Sequence, residues 1–298
     1  MLERSLEILR PLNEPQVLAE PLAFLGTVMI LTGKYARAIE LLNEGLEKAR
    51  AVDDRWFVAM CLSQEVNASI IIGKYENVHE RMQSAVADWR LIGDPRFTAF
   101  GLNLLSQSAL IVGRYDEART ALEESVALNS SVGARWNLGS AYQGLGTVAQ
   151  AQGEHQQAVV MFRKGVDIFT ELGGRFYVGQ GLAAMGRSVF ALGNDAEAEC
   201  IWRESLRIAN EIHGTPVALS AIVGLASLYA KRGDVQHALD LLLIVLSHPA
   251  SVQETKDRAA RLRTELEAQL TRPQVEATQA RAEAKTLEAA VDEVLKQI

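Results

Sequence analysis

Gly33-Lys34-Tyr35-Ala36-Arg37-Ala38 returns as Gly73-Lys74-Tyr75-Glu76-Asn77-Val78 and again as Gly113-Arg114-Tyr115-Asp116-Glu117-Ala118, each copy 40 residues after the last. The interval continues through Gly153, Gly193 and Gly233. A fixed period of this size marks supersecondary units stacked in a row, each burying its apolar face on the next. Every one of these glycines closes one apolar stretch and opens another, so the unit reads as two helices joined by a tight turn.

Other slots keep the register. Seven residues before the glycine stand Gly26, Val66, Ser106, Gly146, Gly186 and Ala226; five after it stand Ala38, Val78, Ala118, Ala158, Ala198 and Ala238. Twelve after it come Gly45, Ala85, Ser125, Gly165, Ser205 and Val245. A glycine inside a helix costs about 1 kcal/mol against alanine, so these positions have to recover their cost by letting two helices approach closely. Helices are expected at about 15–32 paired with 36–52, repeating every 40 residues to about 250.

This pattern resembles the tetratricopeptide repeat over about residues 15–250, six units with small residues at those slots and an aromatic near the turn. The resemblance implies an all-α fold, a right-handed superhelical solenoid of antiparallel helix pairs, with the first helix of each pair lining the concave surface. The period exceeds the family's usual 34 residues. The added length falls around Asp53-Asp54-Arg55-Trp56, Gly133-Ala134-Arg135-Trp136 and Gly173-Gly174-Arg175-Phe176. Forty-residue units with such an entry resemble the sensor arrays of signal-transduction ATPases, including transcription regulators of the maltose-regulator type.

Composition fits a helical array: 48% apolar and 22% charged residues exclude a disordered chain. A net charge of −7 without a basic run argues against direct nucleic-acid binding. No apolar run approaches the ~18 residues of a membrane span. Cys61 and Cys200 form no metal spacing and are read as small hydrophobes in a reducing cytoplasm. The five histidines never fall at zinc spacing, and Gly173-Gly174 with Gly179-Gln180-Gly181 lacks the lysine of a phosphate loop. The chain is therefore read as a non-enzyme without cofactor or metal.

The ends carry separate expectations. Met1-Leu-Glu-Arg-Ser5 aligns with Ile201-Trp-Arg-Glu-Ser205, so residues 1–14 read as the second half of an incomplete leading repeat, and the chain as a fragment of a longer protein. Pro15, Pro95 and Pro216 mark helix entries, whereas Pro21 should delay or kink the first helix. Asn194 with Glu197, and Ser251 with Glu254, read as capping pairs. Residues 251–272 read as a capping helix carrying Leu262 and Leu266. Residues 273–298 read as one amphipathic helix with a heptad seam of Ala277, Ala280, Ala284, Leu287, Val291, Val294 and Ile298. That seam offers weak self-association into a homodimer, or packing on the solenoid.

Helical spacing from the small slots assigns the exposed side of the first helices. The candidate binding residues are Asn67, Asn103, Gln107, Gln143, Thr147, Gln150, Arg187 and Ser227, with Phe190 beside them. Amides both donate and accept, so such a row suits an extended protein or peptide partner or a small-molecule effector. These side chains are expected to face solvent and add nothing to stability. Trp56, Phe97, Trp136 and Phe176 are read as plugs between a unit and the preceding turn, or else as an aromatic rim. Glu65 stands where other units carry Leu or Met, and a slight helix rotation is expected to leave it exposed. The function that follows is recognition, as the sensor part of a larger signalling ATPase or transcription regulator, with a free-standing scaffold as the alternative.

Overall fold

The computed structural model describes residues 2–12 and 14–296, and all regular structure among them is helical. Helix α1 (Leu2–Leu9) and a short turn of 3-10 helix (Arg10–Leu12) lead into α2 (Pro15–Leu31) and α3 (Tyr35–Ala51). There follow α4 (Arg55–Ile71), α5 (Val78–Ile92), α6 (Pro95–Ile111), α7 (Tyr115–Ser131) and α8 (Arg135–Ala151). The second half holds α9 (His155–Glu171), α10 (Arg175–Ala191), α11 (Asp195–Glu211), α12 (Thr215–Lys231) and α13 (Val235–Ser247). The tail adds α14 (Gln253–Glu267), α15 (Arg272–Glu283) and α16 (Leu287–Lys296). The expected pairing therefore holds to within a residue or two, except that α13 ends early, at Ser247.

The turns explain the punctuation. At the end of α2, Gly33 takes φ +74° while Lys34 N–H donates to Met29 O at 2.8 Å and Gly33 N–H to Ile30 O at 3.0 Å, the double closure of a left-handed helix stop. The same left-handed position recurs midway through each period, at Asp53 (φ 55°) and His213 (φ 54°), where no glycine announces it. In unit two the first turn of the second helix is missing. Asn77 is left-handed (φ 52°), and α5 starts only at Val78, which is buried. Valine replaces alanine at that contact slot, and the preceding turn stands unwound.

The chain divides into two compact units, residues 1–144 and 145–298, each with its own apolar cluster. Within each unit a helix packs on its sequence neighbours, and first helices also touch first helices, as α2 does α4 and α10 does α12. The glycine slots show why. A methyl group at Gly26 would come within 2.5 Å of Leu42, at Gly146 within 2.7 Å of Phe162, and at Gly186 within 2.5 Å of Trp202. The large partner always lies sixteen residues on, in the second helix, and Leu42, Phe162 and Trp202 are all essentially inaccessible. Serines at the third small slot go further: Ser205 Oγ donates to Gly179 O at 2.7 Å, across the helix pair.

Several expectations are corrected. α2 starts at Pro15 and runs through Pro21 without delay. Asn194 stands at the head of α11 but its side chain makes no capping bond, and α14 is entered from Val252 rather than capped by Ser251. Cys61 is buried, which pushes its thiol pKa up to about 12, but Cys200 is exposed. Residues 273–298 are not one helix. The chain breaks between α15 and α16; α15 packs on α13 and α16 on α11. Leu287, Val291 and Val294 are buried in the apolar cluster of residues 145–298, whereas Ala277, Ala280 and Ala284 are exposed, and Ile298 lies outside the described residues. Arg203 donates to Val294 O near the end of α16, where a cation also suits the helix dipole. The apolar half of the seam is thus spent on the chain itself, the packing alternative rather than a free face for a second copy.

Overpacking should follow from the slot geometry. Gly146→Leu or Gly186→Leu is expected to cost about 1–3 kcal/mol in urea unfolding; a neutral result would mean that these slots do not meet their partner helix.

Candidate functional site

The first helices carry the residues selected from the sequence, but these residues do not form one solvated row. In residues 1–144, Asn103 is half-buried and tied in: Ser125 Oγ donates to its Oδ1 at 2.8 Å, and its Nδ2 donates to Asn137 O at 3.4 Å. Gln107 is exposed, while Asn67 and Gln143 are half-buried. In residues 145–298, Gln150 is a junction. Its Nε2 donates to Ser188 Oγ (2.7 Å) and Ala184 O (3.1 Å), and its Oε1 accepts from Arg187 Nη2 (2.8 Å) and Nε (3.1 Å). Asn103, Gln150 and Arg187 therefore hold neighbouring helices together as well as facing outward. Thr147 is half-buried one turn before Gln150.

Arg187, Phe190 and Ser227 do converge. They line a cleft of about 340 Å³ between α10, α12 and α14, together with Trp202, Val223, Gly224, Arg258, Arg261, Leu262 and Glu265. Trp202 forms its floor. The indole fits between Gly186 and Gly224, where added methyl groups would come within 2.5 and 2.2 Å of it, and its Nε1 donates to Ala183 O at 3.1 Å. The rim is charged. Arg258 Nη1 lies 3.4 Å from Glu254 Oε1, and Arg187 Nη1 lies 3.9 Å from the same oxygen. Burial and the neighbouring Arg258 pull the Arg187 pKa down to about 9, with Glu254 opposing, so the guanidinium is still charged at neutral pH. The helices packed around it work against ionisation of Glu254, whose side chain still keeps 60% exposure, but Arg258 and Arg187 outweigh this and hold the carboxyl below its ordinary value.

Arg258, Arg261 and Glu265 were not foreseen, because the 40-residue register ends in α13 and projects no slot onto α14. The only hint was that α14 carries basic residues beside Leu262.

Elsewhere the polar groups are structural. His79 Nδ1 lies 3.1 Å from Ser108 Oγ, and its Nε2 lies 3.3 Å from Glu117 Oε2. Of that set His79 is 1% and Ser108 0% exposed, closed inside the helix packing, while Glu117 lies at its outer edge. Glu65 is not turned out to solvent. It is 3% exposed, paired with Arg81 at 2.5 Å and accepting from Ser69 Oγ at 2.9 Å. The buried ion pair, not rotation, explains the carboxylate. Trp56 and Phe97 meet edge-on at 5.4 Å and both contact Trp89, as plugs should, whereas Trp136 and Phe176 are each about 40% exposed. Among the described residues no group of His, Cys, Asp and Glu is placed to hold a metal, and no helix is long and apolar enough to cross a membrane.

A tetratricopeptide-repeat family model matches residues 97–171. That match spans about a quarter of the chain, and the fold as a whole is an all-helical array of consecutive packed helix pairs, a tetratricopeptide-like solenoid. No curated protein matches it by sequence. Among solved structures it is similar to a Rap protein complexed with Competence and Sporulation Factor, at 15% identity and a TM-score of 0.66, over 93% of this chain and 77% of that one. Aspartyl phosphate phosphatase F from Bacillus subtilis gives 13% identity and a TM-score of 0.65, over 98% and 74%. The Signal Transduction ATPase with Numerous Domains from Pyrococcus horikoshii, which has a tetratricopeptide repeat sensor, gives 14% and 0.55. The match covers 89% of this chain but only 38% of that one. At such identities these likenesses show the fold.

The junction at Gln150 makes a distinction that solvent-facing amides would not. Gln150→Leu strands the Arg187 donors and the Ser188 Oγ and Ala184 O acceptors and should cost about 1–3 kcal/mol in urea unfolding. Gln107→Ala should stay within about 0.5 kcal/mol of the parent. Equal effects would contradict the assignment.

Proposed function

We propose that this chain is a recognition array that binds a peptide or small effector in the α10–α12–α14 cleft, as the sensor part of a larger signalling ATPase or transcription regulator. The observation that carries it is the convergence of Arg187, Phe190 and Ser227, from two consecutive first helices, with α14 closing the third side. An apolar floor with a few charged groups at its edge is the usual build of a binding pocket. The fold likeness to a Rap protein complexed with Competence and Sporulation Factor and to a repeat sensor of a signalling ATPase supports the same role. The role assigned is binding, with chemistry left to attached or partner domains.

Switching would work by differential affinity. A ligand gripping α10, α12 and α14 together favours whichever arrangement of those helices fits it, and the bias passes to whatever is attached.

The test is selection of peptides from a random displayed library on the intact chain, followed by hydrogen exchange of the complexes. Selected peptides should slow exchange in α10, α12 and α14, and Ser227→Tyr, which fills the cleft, should abolish their binding. Peptides that protect other helices alone and still bind Ser227→Tyr would remove the cleft from the function.

A further inference from the structure

The rim of the cleft holds more positive charge than it neutralises. Arg187, Arg258 and Arg261 line it or close it, against Glu265 and the nearby Glu254. The two inner guanidiniums are largely removed from water, with side-chain exposures of 23% and 14%. Their partners within the chain are weak for buried cations. Arg187 gives Nε and Nη2 to a neutral amide oxygen of Gln150, leaving Nη1 3.9 Å from a carboxylate. Arg258 reaches Ser220 Oγ and Glu254 Oε1, each at 3.4 Å. A charge-assisted bond between guanidinium and carboxylate normally closes to about 2.7–2.9 Å. Glu254 is itself 60% exposed, so one outlying carboxylate is shared loosely by two buried cations. A desolvated cation in that position gains most from a close anion, because the surrounding dielectric is low.

Beneath the charges the walls are apolar: Phe190 and Leu262 are half-buried, over a floor of Val223 and the fully buried Trp202. We propose that the cleft recognises a carboxylate carried on an apolar group, with Arg187 and Arg258 holding the carboxylate and Phe190 and Leu262 receiving the apolar part. A peptide ending in a large apolar residue and a free small carboxylic acid present this same chemistry. Glu254 acts as a stand-in from the chain itself, and a bound carboxylate takes its place. One net positive charge among the five groups matches a monoanion. A dianion such as phosphate would leave an excess negative charge and has no apolar body for Phe190 and Leu262.

This inference rests on the recognition reading above, so the experiment separates the two. The intact chain is titrated by calorimetry with acetyl-leucine, with the tetrapeptide acetyl-Ala-Ala-Ala-Leu as free acid and as amide, and with inorganic phosphate. The free acids should bind at least tenfold more tightly than the amide, and phosphate should not compete. If only the tetrapeptide acid binds, the source is a peptide terminus; if acetyl-leucine binds as well as the tetrapeptide, it is a small acid. Either result supports the inference. Arg258→Gln should weaken acid binding at least tenfold. Glu254→Gln should strengthen it several-fold, an improvement that damaged packing would not produce. Equal binding of acid and amide, competition by phosphate, or weaker binding to Glu254→Gln would overturn the carboxylate assignment. Library-selected peptides that protect α10, α12 and α14 regardless of their C-terminal charge would leave recognition standing without it. Failure of acids and library peptides alike would remove both.

Discussion

The structure depends on one contact: a large side chain of each second helix driven into a gap that a small residue leaves on the first. Leu42 enters beside Gly26, Phe162 beside Gly146 and Trp202 beside Gly186. A helical glycine gives up propensity, and the recovered energy comes from dispersion and burial across a gap that only a bare backbone leaves open. Because the contact is local to each pair, it repeats without a central core, and each of the two compact units carries a continuous apolar cluster. The same contact builds the candidate site. Trp202 is the knob of its own pair, Gly224 on the next first helix packs its backbone on the indole's far side, and the cleft lies over this buried floor.

That dependence also decides what the sequence could reveal. The small slots and turn glycines recur at one spacing, so the helix pairs were readable at once. The bulky partner sixteen residues on was overlooked because its identity varies, from Leu42 through Met82 and Phe162 to Trp202. What it conserves is burial, not residue type. The half-period turns were partly hidden for the same reason. Asp53 and His213 hold a left-handed backbone that glycine holds at Gly133 and Gly173. Glu65 misled because one chain position shows a carboxylate but not the Arg81 opposite it.

The site was half legible. Periodicity placed Arg187, Phe190 and Ser227 on the outward side of their helices, and they do meet. It also placed Asn103 and Gln150 there, where their second role in joining helices cannot be seen without the neighbour's backbone. The arginines of α14 lay beyond the last slot. The tail misled in another way. A seam spaced by threes and fours reads as one helix, yet the break between α15 and α16 lets Leu287, Val291 and Val294 fold back onto α11 and its neighbours.

The four tryptophans, Trp56, Trp89, Trp136 and Trp202, offer a decisive reporter, since Trp202 alone floors the cleft. With the chain labelled with 5-fluorotryptophan, the fluorine spectrum is recorded through a titration with acetyl-leucine. The resonance assigned to Trp202 by its Phe variant should move with saturation while the other three stay fixed. Movement of the Trp56 or Trp89 signals, with Trp202 unchanged, would contradict recognition in the α10–α12–α14 cleft.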